Sequence, residues 1–263
     1  MRRLNLLLCL PALLSAAQPV IRDMSLTTPD GFVLTGTLTV PPQLGRRPVV
    51  ILAHQFQADR SGWKPLADLL NAKGVATLAL DLRGHGQSIW KAGQTVAVTP
   101  DFLASGQAVG FDRIPADLTQ VAAWVRRQPR IDPRRLALAG SSLGAFASLL
   151  AAPALHPVAV LVLSPAGKGA FGDDAGARMV RAVDQAHAAV LVMAAQDDQE
   201  AADNAGAIKD VFGVCARIVP GKDHGFAFFP GEAGIMAGWL TEYLTYHAPA
   251  PAKAKMVQPT ETS

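Results

Sequence analysis

The sequence predicts an α/β fold: a mostly parallel central sheet of about eight strands with helices on both faces. Three observations carry this. Short, wholly apolar runs such as residues 49–53 and 189–195 read as strands buried on both faces, the habit of parallel sheets. These runs alternate with segments of helical spacing, as in residues 63–72, which is the pattern of successive βαβ units. Finally, half of the 263 residues are hydrophobic and 17% are charged, which supports a large core and excludes disorder through most of the chain.

Taken in order, residues 1–17 carry Arg2 and Arg3, an apolar stretch over 4–14, and small residues Ser15, Ala16 and Ala17. This is the layout of a secretory signal peptide cut near Ala17, and the apolar stretch is too short to span a membrane. It places the protein in the periplasm or outside the cell. Loss of the leader removes Cys9 and leaves Cys215 as the single thiol, so no internal disulfide is expected; Cys215, inside a predicted strand, reads as a buried apolar filler.

Residues 24–28 and 32–40 flank Pro29-Asp30-Gly31, a turn signal that predicts an antiparallel hairpin at the start of a folded domain over 18–247. Strand 49–53, helix 63–72 and strand 75–80 follow. Residues 90–110 show no clear period and are read as a surface excursion. A helix over 115–127 leads to strand 136–139, then a helix from Ala145, strand 158–164, a Gly-rich stretch with a short amphipathic segment over 177–187, strand 189–195, helix 201–212, strand 214–219 and helix 234–246. The two dozen residues after 164 are too few for a large cap, so only a minimal cover over the site is expected. The tail, 248–263, is rich in Ala, Pro and Lys and lacks the apolar residues that would offset the entropy of ordering.

The formal charge of +3 belongs to the ends. Without the leader and the tail the charge falls to zero, which argues against a nucleic-acid partner. No His/Cys/Asp/Glu cluster has metal-ligand spacing and no Gly-x-Gly-x-x-Gly opens a helix after a strand, so neither a metal nor a nucleotide cofactor is implied. No stable membrane span and no partner protein are indicated.

The chemistry centres on Gly140-Ser141-Ser142-Leu143-Gly144. A serine with glycines two positions to either side, between a strand and a helix, suits a sharp turn that lifts Ser142 above the sheet edge. A serine hydroxyl needs an imidazole to take its proton and a carboxylate to orient that imidazole. His224, in Gly221-Lys222-Asp223-His224-Gly225, follows the last predicted strand, while Asp197 and Asp198 follow strand 189–195; both loops fall where an α/β sheet presents its site. Leu143, first in the helix after the nucleophile, is the natural backbone donor to a developing oxyanion. Ser141 is expected to point to the sheet side of the turn and pack there. His156, His187 and His247 read as surface residues.

Gly140–Gly144, the Asp81-Leu82-Arg83-Gly84-His85-Gly86-Gln87-Ser88 loop and Gly221–Gly225, in the order Ser, Asp, His, resemble the α/β-hydrolase superfamily from about residue 25 to 246. The resemblance is greatest to its small-cap dienelactone-hydrolase-like and serine-aminopeptidase-like branches. Dienelactone hydrolases of that branch carry a cysteine nucleophile, whereas Ser142 stands here. The resemblance implies an α/β-hydrolase fold with a Ser142-His224-Asp198 triad, Asp198 being preferred to Asp197 because it stands three residues past Ala195, the family's usual glycine position. It implies Phe56 as the second oxyanion N–H donor, with Gln55 in place of a glycine and its side chain a candidate substrate contact. His54 and His85 fall at positions that support loops. The implied activity is carboxylic ester hydrolysis through an acyl-enzyme, without cofactor, on a small-molecule ester or peptide. A peptidase or amidase, and a non-catalytic binding protein on the same fold, are the alternatives.

Overall fold

A computed structural model of the chain describes residues 18–246. The predicted leader, the tail and His247 lie outside the described residues.

Apolar periodicity and local turn chemistry account for most elements. β1 (Val20–Thr27) and β2 (Phe32–Val40) form the expected antiparallel hairpin. The Thr28 side chain closes its turn by donating to Asp30 at 2.7 Å and accepting from the Phe32 N–H at 3.0 Å. β3 (Arg47–Ala53), α1 (Lys64–Ala72) and β4 (Ala76–Leu80) form the first parallel crossover. After short β5 (Trp90–Lys91) and β6 (Gln94–Thr95) come α2 (Phe102–Val109) and α3 (Ile114–Arg126). The rest is β7 (Ile131–Ser141), α4 (Leu143–Leu155), β8 (Ala159–Leu163), α5 (Ala175–Ala186), β9 (Ala189–Ala195), α6 (Gln199–Ile208), β10 (Val214–Val219) and α7 (Phe229–Tyr246).

Among the described residues the sheet has ten strands, in the order β10-β9-β8-β7-β3-β4-β2-β5-β6 with β1 on the other edge of β2. Strands β4, β3, β7, β8, β9 and β10 run parallel. The chain moves from β3 to β4 and then crosses back to pair β7 with the free edge of β3, so the order reverses between β3 and β7. That reversal opens a crevice at the carboxyl ends of these strands, where an α/β sheet binds its ligand. Alternating strand residues feed two cores. Val49, Ile51, Leu136 and Leu138 pack beneath α3, α4, α5 and α6, whereas Val50, Leu52, Ala137 and Ala139 pack beneath α1 and α7.

Two expectations change. The excursion over 90–110 contains α2, capped by the Asp101 side chain, which accepts from the Ala104 N–H, and ended by Gly110 at φ 79°. Both caps are standard helix punctuation and could have revealed it. Cys215 is exposed, not buried. β10 is the sheet's edge: Val214 and Ala216 pack against one core and Val219 against the other, while Cys215, between Val214 and Ala216, is left open to solvent and Arg217 pairs with Glu232 at 2.6 Å.

The loop after β4 is anchored by charge. Arg83, 1% exposed, donates to both Asp117 oxygens at 2.6 and 2.7 Å and reaches Asp30 and the Val109 carbonyl. Burial raises the Asp117 carboxyl even against Arg83's pull, while Asp30, also raised by its partial burial, is brought down to about 2 by Arg83's hydrogen bonds and charge. Removing one partner of such a pair strands the other charge. Arg83→Ala is therefore expected to lose about 3–5 kcal/mol in urea denaturation, with much of it recovered in Arg83→Met/Asp117→Leu. Cys215 in the native fold is expected to react fully with a maleimide before any unfolding, as read by peptide mapping.

Candidate active site

β7 ends at Ser141 and α4 begins at Leu143, so Ser142 alone makes the turn, at φ 51° and ψ −114°. A non-glycine residue there carries strain of about 1–3 kcal/mol, which only a rigid surrounding sustains. The Ser142 N–H donates to the Leu163 carbonyl at 2.8 Å, and its carbonyl accepts from the Phe146 N–H at 3.0 Å. The flanking glycines are required by proximity. A Cβ on Gly140 would run into the backbone of Gly144 and Ala145, and one on Gly144 into the carbonyls of Ala53 and His54. The first turn of α4 is thus pressed directly against the ends of β7 and β3.

His224 Nδ1 lies 2.6 Å from Asp198 Oδ2. A carboxylate only accepts, so Nδ1 carries the hydrogen toward Asp198 and Nε2 faces the other way. Asp197 is exposed, and among the described residues the His224 ring is hydrogen-bonded to Asp198 and not to Asp197, whose N–H donates to the Gly221 carbonyl. Ser142 and His224 line one open cavity of about 290 Å³, together with Gln55, Phe56, Phe102, Ala166, Gly167 and Glu200. A larger hollow of about 600 Å³, bordered by Ile21, Thr39, Trp63 and Asn71, is lined by neither Ser142 nor His224.

Leu143 is the first residue of α4, so its N–H belongs to the unpaired first turn. Phe56 stands in the loop after β3, its ring edge-on to Phe102 at 5.1 Å and to His85 at 5.8 Å. Its N–H has no acceptor among the described residues. Both predicted oxyanion donors therefore come from elements bordering the β3/β7 crevice.

Gln55 does more than border the cavity. Its side-chain carbonyl accepts from Ser141 Oγ at 2.9 Å and from the Phe226 N–H at 3.1 Å. Because a backbone N–H can only donate, this contact fixes Oε1 inward and turns Nε2 the other way. Gly225, at φ 56°, leaves no room for a Cβ, which would strike Gln55 Oε1 and Ser141 Oγ. Its N–H donates to buried Ser164 Oγ at 2.9 Å. Ser141, expected to pack, is instead a polar link between the nucleophile turn and the loop after β3. Phe102, Ser164 and Glu200 were not anticipated; only the α2 caps pointed to the first.

His54 and His85 hold loops. His54 Nδ1 donates to the Gln55 carbonyl at 2.7 Å, and Nε2 accepts from the Leu82 N–H at 2.9 Å. Burial, with the neighbouring His85, lowers His54 to about 3. The folded state therefore keeps His54 neutral while the unfolded chain protonates it below about 6.5. Stability is fully present above that pH and is lost as pH falls from 6.5 toward 3. In urea denaturation between pH 7 and 4, His54→Gln is expected to start less stable than the parent and to show a shallower decline.

Comparisons with known proteins agree with this architecture. A family model described as serine aminopeptidase, S33, matches residues 45–172. An uncharacterized protein of Mycobacterium tuberculosis is 28% identical over 151 residues, 57% of this chain and 48% of the relative. An uncharacterized 31.7 kDa protein of Escherichia coli is 30% identical over 116 residues, 44% of this chain and 35% of the relative. The chain thus matches less than half the length of these curated relatives. Among solved structures, a dienelactone hydrolase from Anabaena variabilis superposes with a TM-score of 0.62 at 20% identity, over 88% of this chain and 99% of that one. A Pyrococcus furiosus esterase gives 0.62 at 17% identity, over 86% and 92%. A cold-adapted esterase from an Arctic intertidal metagenomic library gives 0.64 at 18% identity, over 85% and 93%.

Proposed function

The chain has the α/β-hydrolase fold, and from that premise we propose that it is a serine hydrolase cleaving carboxylic esters of small molecules through a Ser142-His224-Asp198 triad. The observation that carries the reading is the 2.6 Å His224–Asp198 contact on a cavity that Ser142 also lines from its strained turn.

In this reading Ser142 Oγ bonds to the ester carbonyl carbon as its proton passes to His224 Nε2. The carbonyl oxygen gains the negative charge and is met by the N–H groups of Phe56 and Leu143. Collapse breaks the bond to the leaving oxygen, which takes the proton from His224 and departs as the alcohol. Water then attacks the acyl-serine, giving its proton to His224; the carboxylic acid leaves and Ser142 Oγ is reprotonated. Asp198 holds the imidazole in the required tautomer and stabilises the imidazolium, without itself taking the proton. Gln55 Nε2, with Oε1 committed to Ser141 and Phe226, is available to the substrate. An amide would follow the same path with an amine leaving, and the serine aminopeptidase description of the matching family favours keeping that second reading.

A fluorophosphonate probe is expected to label Ser142; a folded protein that takes no label would overturn the proposed catalysis. With p-nitrophenyl esters, Ser142→Ala and His224→Ala are each expected to lower kcat/KM at least about a thousandfold, and Asp198→Asn by on the order of ten-thousandfold in kcat. Asp197→Asn should change little; the reverse order would move the acid to Asp197. Faster turnover of aminoacyl anilides than of esters would replace the esterase reading with the peptidase one.

A further inference from the structure

Glu200 lies in the first turn of α6, two residues beyond Asp198, and lines the same cavity as Ser142 and His224. Its Oε1 accepts from the N–H groups of Gly167 and Lys168, both at 3.0 Å. This holds the carboxylate against the loop that follows β8. Among the described residues Oε2 has no hydrogen-bond partner, is not sealed from solvent, and Glu200 makes no ion pair. Asp198 is occupied by His224. The remaining wall is apolar or neutral: Phe56, Phe102, Ala166, Gly167 and Gln55. Lys168 is exposed and does not border the cavity, Glu200 being met by its backbone alone.

We propose that Glu200 is the specificity-determining charge of this site, selecting esters whose acyl chain carries a cation and rejecting those whose acyl chain carries a carboxylate. The inference rests on the ester-hydrolase reading. A carboxylate pinned by two backbone amides loses little entropy when a cation arrives, and the half-buried setting weakens screening. An anionic chain entering the same cavity meets a like charge with no cation on the wall to offset it. The aromatic rings of Phe56 and Phe102 add faces on which a quaternary ammonium can rest.

The test compares three p-nitrophenyl esters of matched length: trimethylammoniobutyrate, its uncharged tert-butyl isostere, and the monoester of glutarate. At low salt the cationic ester is expected to exceed the isostere roughly tenfold in kcat/KM, the effect of a charge pair about 6 Å apart in an effective dielectric near 40. The glutarate ester should fall below the isostere by a similar factor. Raising the salt to about 0.5 M should shrink both gaps. Glu200→Gln keeps an oxygen for the Gly167 and Lys168 amides while removing the charge, so it should fold as the parent does and lose most of the discrimination, read as the ratios of kcat/KM among the three esters. Equal rates for all three esters, a preference for glutarate, or discrimination that survives in Glu200→Gln would overturn the inference. Failure to hydrolyse any ester would instead overturn the reading on which it rests, so the two failures are distinguishable.

Discussion

The arrangement at the carboxyl edge of the sheet depends on one close contact: the first turn of α4 lying directly on the ends of β3 and β7. Gly144 touches the carbonyls of Ala53 and His54, and Gly140 faces the backbone of Gly144 and Ala145. Nothing larger than hydrogen fits between them. Ser142 is thereby driven into a conformation that few L-residues adopt, and the cost is met by the packing of strands buried on both faces. The same contact brings the N–H at the start of α4 beside the loop carrying Phe56, so the geometry of the turn and that of the proposed oxyanion donors have a common origin.

Around this contact the loops are locked by polar atoms with few alternatives. Gln55 Oε1 receives Ser141 and Phe226, joining the ends of β3 and β7 to the segment just after His224. Ser164 takes the Gly225 N–H from the end of β8. The histidine loop, which follows an edge strand with little burial of its own, is thus positioned by three neighbouring strands. Where a glycine at position 55 would leave these donors to water, the glutamine satisfies both with one oxygen. Behind it, Asp81 accepts from the Arg60 and Gln87 amides and pairs with the Arg60 side chain at 2.6 Å. Arg83 and Asp117 tie the next loop to α3. Buried pairs of this kind contribute little net stability, but each fixes one loop in one place.

The electrostatics of the site follow from this division of labour. His54 and His85 are lowered by burial and stay neutral, so they add no charge beside Ser142. His224 remains partly open to the cavity, with its orientation set by Asp198. Glu200 then stands as an unpaired charge on an otherwise neutral wall.

The sequence by itself determined the class of fold, the order of its strands and helices apart from the short β5, β6 and α2, and the identity of the serine turn, because these are written in local signals: apolar runs, helical spacing and glycine positions. The separation of Asp198 from Asp197 is different. Adjacent residues on one loop point in different directions, and only the placement of β10 beside β9 decides which meets His224. Gln55 was legible as a departure from the pattern but not as a link, since its partners lie 86 and 171 residues away in the chain. Cys215 was misjudged because an apolar strand pattern does not say whether the strand is central or at the edge. Glu200 gave no local signal at all. Its place on the cavity wall arises from the meeting of α6 with the loop after β8, and contacts of that kind are made by tertiary packing alone.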